Sequence, residues 1–305
     1  MICRSSNADN RREASLANQF AEVRPAWTEG GEVMACYCAR RTHPSHRPGI
    51  RMITLTALPA FTDNYIWMLH VGDRYWVVDP GDGDAVLRGL PRAAQVEGIL
   101  VTHHHPDHIG GVESLVRRFG CAVFAPDDPR IPVATHRVAE GGAVDLLGTR
   151  FAVLHVPGHT SSHVAYYAAP WLFCGDTLFS LGCGRLFEGS PAQMRHSLER
   201  LADFPGDTLV CCTHEYTQSN ARFALTVDPQ NAHLQSLANS LGDRLRQPPY
   251  RTLPSTLRDE LACNPFLRIR DSAVRTALEV HAGRMLPDCD ERFAVLRAWK
   301  DGFRG

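Results

Sequence analysis

The hydrophobic pattern predicts an α+β protein: two β-sheets packed together with helices outside, followed by a small all-helical part. Three observations carry this. Apolar runs of strand length fall into two groups, each made of hairpin signals followed by a helical period. After Tyr216 no strand pattern is convincing and helical periods take over. Residues 1–51 lack any sustained period, and periodic structure begins abruptly at Met52. The expected organisation is an extension at 1–51, a strand-rich domain at 52–216 and a helical domain at 217–305. The extension reads as a disordered tail or as a stretch upstream of a true start at Met52. Asp9, Glu13, Glu22, Glu29 and Glu32 make it too acidic for a transit peptide.

The elements follow in order. Met52–Ala57 and Tyr65–Val71 are alternating or apolar runs split by the turn cluster Thr62-Asp63-Asn64, and Gly72-Asp73 leads into Arg74–Val78. Asp84–Leu90 reads as a short helix, Val96–Val101 as a buried strand and Ile109–Phe119 as a helix. Strands are expected at Cys121–Phe124, Phe151–Val156, His163–Tyr167, Trp171–Cys174 and Thr208–Cys212, with a helix at Pro191–Phe204 before the last of them. Beyond Tyr216, helical periods fall near 217–225, 231–246, 257–262, 271–282 and 291–299, broken by Pro248-Pro249, Pro254 and Pro287.

Composition sets the bounds. The chain has 305 residues, 44% hydrophobic and 21% charged, which is ordinary for a globular protein with a sizeable core. A formal net charge of −1 gives no sign of a nucleic-acid or membrane partner. No apolar run reaches the ~18 residues of a membrane-spanning helix. The ten cysteines sit singly or paired in apolar runs with no CxxC spacing, and no signal peptide precedes them, so most are expected to be reduced core residues of a cytoplasmic protein. Lys300 is the only lysine; every other basic residue is arginine.

The strongest chemical signal is Thr102-His103-His104-His105-Pro106-Asp107-His108, on the loop that ends the buried strand Val96–Val101. Neutral imidazoles and carboxylates are standard ligands of divalent metals. In extended chain, side chains i and i+2 point the same way, so His103 and His105 can converge on one ion. Asp107 and His108, further round the turn, can converge on a second. His104 points away and reads as structural. Three further segments put a ligand type at the polar end of an apolar strand: His159 in Val156-Pro157-Gly158-His159, Asp176 in Cys174-Gly175-Asp176, and His214 in Cys212-Thr213-His214. One such residue alone is more often structural; together with the His-rich loop they read as a metal constellation.

These motifs, HHHPDH, PGHTSSH, CGDTLF and THEYT, resemble the glyoxalase II family of the metallo-β-lactamase superfamily, from Met52 to near the C-terminus. The resemblance implies a four-layer αββα sandwich. It implies one metal held by His103, His105 and His159, a second held by Asp107, His108 and His214, and Asp176 bridging the two. Two divalent ions per chain are implied, zinc being expected, though iron and manganese accept the same ligands. The implied reaction is hydrolysis of S-D-lactoylglutathione to glutathione and D-lactate by a metal-bound hydroxide, with Asp176 and Asp107 as the catalytic carboxylates. A thiol of pKa ~8.5 leaves unaided, whereas an amide nitrogen needs a proton; no extra general acid is evident, which fits a thioester. Asp79 resembles a position behind the metal ligands, or serves only its turn.

For the substrate, Arg185 takes the place of the family's basic residue for the glutathione glycine carboxylate. Phe187 stands where some relatives have tyrosine, and Tyr216 matches the tyrosine after the last metal histidine. Arg297 and Lys300, at i and i+3, share a helix face and suit a dianionic tripeptide. A lone lysine at this place hints at a need for a compact ammonium. Monomeric action on a small glutathione thioester, without nucleic acid or membrane, is expected. The rivals are a persulfide dioxygenase with a single iron, another thioesterase of the same fold, a nuclease and a zinc-binding structural module. The first leaves Asp107, His108 and His214 unused; the nuclease wants a basic surface; the module wants a closed four-ligand site.

Overall fold

A computed structural model of the protein describes residues 52–247 and 251–304. The expectations for the extension at 1–51 and for Pro248-Pro249 lie outside the described residues.

The first half forms a six-stranded sheet in simple sequence order. Strands β1 (Thr54–Ala60), β2 (Asn64–Val71) and β3 (Arg74–Val78) are antiparallel neighbours. Strands β4 (Gln95–Leu100), β5 (Ala122–Pro126) and β6 (His136–Val138) continue it in parallel. Helices α1 (Gly83–Gly89), α2 (Pro106–Ile109) and α3 (Val112–Phe119) supply the crossovers. The single helix expected over 109–119 is interrupted at Gly110-Gly111, where a Cβ on Gly111 would stand 2.2 Å from the Gly83 nitrogen.

The second sheet has the order β14-β13-β10-β9-β8-β7. Its strands are β7 (Ala143–Leu146), β8 (Thr149–His155), β9 (Val164–Ala168), β10 (Trp171–Gly175), β13 (Leu209–Cys212) and β14 (Ser255–Thr256). A small hairpin, β11 (Leu178–Phe179) with β12 (Gly182–Cys183), follows β10. Helix α4 (Pro191–Ala202) starts at the Ser190 capping box, closed by Gln193, with Pro191 in the first turn.

The two sheets face each other. On β2, alternation sends Tyr65, Trp67 and Leu69 into the inter-sheet core with Phe151, Tyr166 and Phe173. Ile66 and Met68 go to the opposite face, under Val86 and Leu115 of the outer helices. Both faces are apolar because both are covered, which gives the four layers αββα. Beyond Tyr216 the described residues form the helices α5 (Thr217–Val227), α6 (Ala232–Arg246), α7 (Leu257–Cys263), α8 (Ser272–Ala282) and α9 (Cys289–Gly302). Phe293 and Leu296 of α9 share one core with Met194 and Leu198 of α4. Among the described residues no helix is long and apolar enough to cross a membrane, and seven described cysteines are free.

Candidate metal centre

Strands β4, β8, β10 and β13 all end at one rim of the sandwich. The residues that follow them, His103–His108, His159, Asp176 and His214, meet there. The turn between β1 and β2, in the sheet of β4, reaches across to the end of β13: Tyr65 N–H donates to the Thr213 carbonyl at 2.6 Å, and Glu215 N–H to the Asp63 carbonyl at 2.8 Å.

Three imidazoles point their nitrogens at one spot. His103 Nε2 and His159 Nε2 each lie 3.0 Å from His105 Nδ1. The far nitrogen of His159 contacts the Arg185 carbonyl at 2.8 Å. Donating there places its proton at Nδ1 and turns the Nε2 lone pair to the cluster. Tetrahedral zinc with nitrogen ligands at ~2.0–2.1 Å sets those nitrogens roughly 3.3 Å apart, close to what is seen.

A second group lies beside the first. Asp107 Oδ2 is 3.6 Å from His108 Nε2 and 3.4 Å from His214 Nε2. Asp176 spans both groups: its Oδ2 is 3.4 Å from His159 Nε2 and 3.3 Å from His214 Nε2, and its Oδ1 is 3.4 Å from His108 Nε2. His108 Nε2 and Asp176 Oδ1 are buried and make no hydrogen bond among the described residues. Buried polar atoms left this way are costly, and a bound cation satisfies them. The donor set, five imidazoles and two carboxylates, is one that divalent ions accept. His104 turns away, 3.6 Å from Asp128 and 3.8 Å from Glu188.

The electrostatics agree with this division. Burial, reinforced by neighbouring imidazoles, depresses His105 to about 4 and holds His103 and His159 below their ordinary range, so all three are neutral. Burial also opposes charge on His108 and His214. There the carboxylates win: Asp176 and Asp79 raise His108 to about 10, and Asp176, Asp107 and Asp63 raise His214 to about 11. This side of the centre calls for positive charge.

Four supports behind the ligands were not assigned a site role from the sequence, apart from the open reading of Asp79. Asp79, at φ 49° in its turn, accepts from Thr102 N–H and Oγ1, both at 2.7 Å, and lies 3.0 Å from His108 Nδ1. Asp63 Oδ1 is 2.8 Å from His214 Nδ1, and Asn64 Nδ2 donates to Asp107 Oδ2 at 3.0 Å. His163 stacks on His103 with ring centroids 4.6 Å apart, and its Nε2 accepts from Asp176 N–H at 3.2 Å. The local signal for Asp63 and Asn64 was a polar pair in a turn; for His163 it was a second histidine in PGHTSSH.

The centre forms the floor of a pocket of about 630 Å³. Arg185, Phe187, Tyr216, Arg297 and Lys300 all line it. Tyr216 stacks on His214 at 4.7 Å and 4° between ring planes. Phe187, 64% exposed, stands at the rim with its ring 5.4 Å from His105 and 5.2 Å from His159. The helical segment holds the hairpin leading to Arg185: Asn264 Nδ2 donates to the Gly182 carbonyl at 2.9 Å, and Glu260 accepts from Leu181 N–H at 2.7 Å. Lys300 Nζ sits over the rings of Phe223 and Phe303, at 5.2 and 5.7 Å.

Comparison with known proteins places this geometry. The family described as "Hydroxyacylglutathione hydrolase C-terminus" matches residues 215–303. The metallo-β-lactamase superfamily matches residues 61–137 and 125–214. A hydroxyacylglutathione hydrolase of Xanthomonas campestris pv. campestris is 54% identical over 257 residues, 82% of this chain and 99% of its own length. One from Pseudomonas aeruginosa is 50% identical over 259 residues, 83% of this chain and 100% of its own length. Among solved structures, ETHE1 from Myxococcus xanthus aligns with a TM-score of 0.55 at 21% identity, covering 82% of this chain and 98% of its own. The BLEG-1 B3 metallo-β-lactamase aligns with a TM-score of 0.54 at 23% identity, covering 70% and 99%. These two share the fold.

Proposed function

Since this chain belongs to the hydroxyacylglutathione hydrolases of the metallo-β-lactamase superfamily, we propose that it hydrolyses S-D-lactoylglutathione to glutathione and D-lactate at a centre of two divalent metal ions. One observation carries the reading. The pocket floored by His105, Asp107, His159, Asp176 and His214, five of the seven His/Asp residues, is walled by Arg185, Arg297 and Lys300. That pairs hydrolytic ligands with cations for the two carboxylates of a tripeptide in a single cavity.

Two divalent cations held here would lower the pKa of a shared water and polarise the thioester carbonyl. His103, His105 and His159 would hold the first and Asp107, His108 and His214 the second, with Asp176 serving both. Asp176 and Asp107 are the carboxylates at hand to accept the proton released from water. No general acid is required, because a thiol of pKa ~8.5 departs as thiolate. Arg185, Arg297 and Lys300 bind the carboxylates of glutathione through charge-assisted hydrogen bonds. Tyr216, held flat against His214, and Phe187, edge-on to His105 and His159, flank the acyl group.

Zinc is the expected metal, and the chain is proposed to act as a cytoplasmic monomer. A persulfide dioxygenase using one iron would leave Asp107, His108 and His214 without work, although their ligand atoms lie within 4.8 Å of one another.

The test is loss of thioester absorbance from S-D-lactoylglutathione, with metal content measured on the same preparation and Lys300→Ala alongside. Rapid turnover, about two metals per chain and a raised KM in the variant are expected. Two bound metals without turnover would leave a metal-binding protein and sink the glutathione assignment.

A further inference from the structure

Among the described residues one carboxylate lines the pocket outside the metal constellation: Asp301, in the last turn of α9. Its Oδ1 accepts from Arg297 Nη2 at 3.0 Å and lies 3.6 Å from Arg185 Nε. The two guanidiniums come from distant parts of the chain. Arg297, 5% exposed, is wedged in place: Nη1 donates to the Cys183 carbonyl at 2.9 Å, and the group lies over the Phe266 ring at 5.1 Å. Its Nε is buried with no hydrogen-bond partner among the described residues. Arg185 is 66% exposed, and Asp301 supplies its one ion pair among the described residues.

Helix stability does not account for an aspartate here. The C-terminal turn of a helix disfavours negative charge. An acidic residue four places after its basic partner is also the weaker orientation of such a pair. A carboxylate in an anion-binding wall also repels an incoming carboxylate. The repulsion is small, however, because two guanidiniums already neutralise Asp301 and water screens a half-exposed charge. The other effect is larger. A guanidinium recognises a carboxylate through a planar fork that must be aimed, and a free arginine side chain carries much rotamer freedom. Holding it before substrate arrives removes that ordering cost from binding.

We propose that Asp301 is a positioning residue, whose one oxygen ties Arg185 to Arg297 and so presets the cationic wall for the carboxylate of the tripeptide. The proposal rests on the hydrolase reading above.

The test compares metal-loaded wild type, Asp301→Asn and Asp301→Glu. It measures kcat and KM on S-D-lactoylglutathione, calorimetric Kd for a non-hydrolysable S-alkylglutathione, and melting temperature. Asp301→Asn is expected to raise KM and Kd by about tenfold, with kcat changed less than about twofold. Its melting temperature should fall modestly, because the loss of counter-charge to the buried Arg297 guanidinium outweighs the relief of charge at the helix end. Asp301→Glu should recover most of the loss. In an Arg185→Gln background, Asp301→Asn should add little, since both changes break one linkage. An unchanged or lowered KM and Kd in Asp301→Asn overturns the proposal, because repulsion would then outweigh positioning. A fall in kcat alone overturns it too, by moving Asp301 to the reacting centre. If wild type binds the S-alkylglutathione but hydrolyses nothing, the hydrolase reading fails while the Kd comparison still decides Asp301. If wild type binds neither, both fall.

Discussion

Single side chains decide two properties of this site. Lys300 is half-buried in the pocket wall. Burial, then the neighbouring charges of Arg297 and Arg222, lower its pKa to about 8. The ammonium form is the one that binds a carboxylate, and it prevails below that value. As pH rises through 8 the free enzyme loses this charge, so kcat/KM should fall while kcat, which reports the complex, holds. Between pH 7 and 9 the Lys300 contribution drops by about tenfold. Lys300→Arg, with a guanidinium that stays charged, should flatten that limb of the profile; an alkaline limb that survives the substitution would assign it to another group. Asp63 acts at the other end. Its carboxylate orients the His214 ring through Nδ1, and such supports typically govern ~10–100-fold in metal affinity or activity. Asp63→Ala should therefore lose metal in a competition titration by that order without unfolding, since its side chain is 35% exposed.

At the scale of the element, the site is built from strand ends, and the tightest of these is the end of β10. Gly175 has φ 48°, and a Cβ there would stand 2.4 Å from Thr102 Oγ1 and 2.9 Å from the His163 ring. Only glycine lets the chain pass between β4 and β9 and still deliver Asp176. Gly175→Ala should cost about 2 to 4 kcal/mol, combining backbone strain with overpacking. It should also lower bound metal; denaturant midpoints and elemental analysis check the two effects separately, and a stable, fully metallated variant would refute the argument. Strand ends also explain what could be read from sequence. His103 and His105 are legible because i, i+2 alternation is local, and His159, Asp176 and His214 because each closes an apolar run. Asp63 reads from sequence only as a turn residue because its partner His214 lies 151 positions away. Asp301 escaped for the same reason, since Arg185 reaches it only once α9 has packed. The strands not expected from the sequence, β6, β7, β11, β12 and β14, are each two to four residues long; β6, His136–Val138, is largely exposed and has no alternation to read. β14 is two residues long and exists only because β13 offers a free side.

Over the whole molecule, the metal floor and the cationic wall come from different stretches of chain, and the question is what keeps them in register. The answer is a shared core. Phe266, Phe293 and Leu296 of the helical segment belong to the same buried cluster as Met194, Leu198 and Leu201 of α4 and the inter-sheet residues. Arg297 adds a polar tie by capping the Cys183 carbonyl. At ~1.5–3 kcal/mol for each large apolar side chain buried, those three residues alone contribute on the order of 5–9 kcal/mol. That is comparable with the whole stability of a typical domain, about 5–15 kcal/mol. We therefore expect the strand-rich part not to survive alone. A chain ended at Tyr216 would expose the inner face of α4 and leave the β11–β12 hairpin without Asn264 and Glu260. It should accumulate as aggregate, elute in the void volume after refolding, and fail to retain metal. A monodisperse, metal-binding product of that length would show instead that the sandwich stands by itself, with the helical segment serving only to recognise the tripeptide. Lost turnover with intact metal content would then be the signature of removing the wall and leaving the floor.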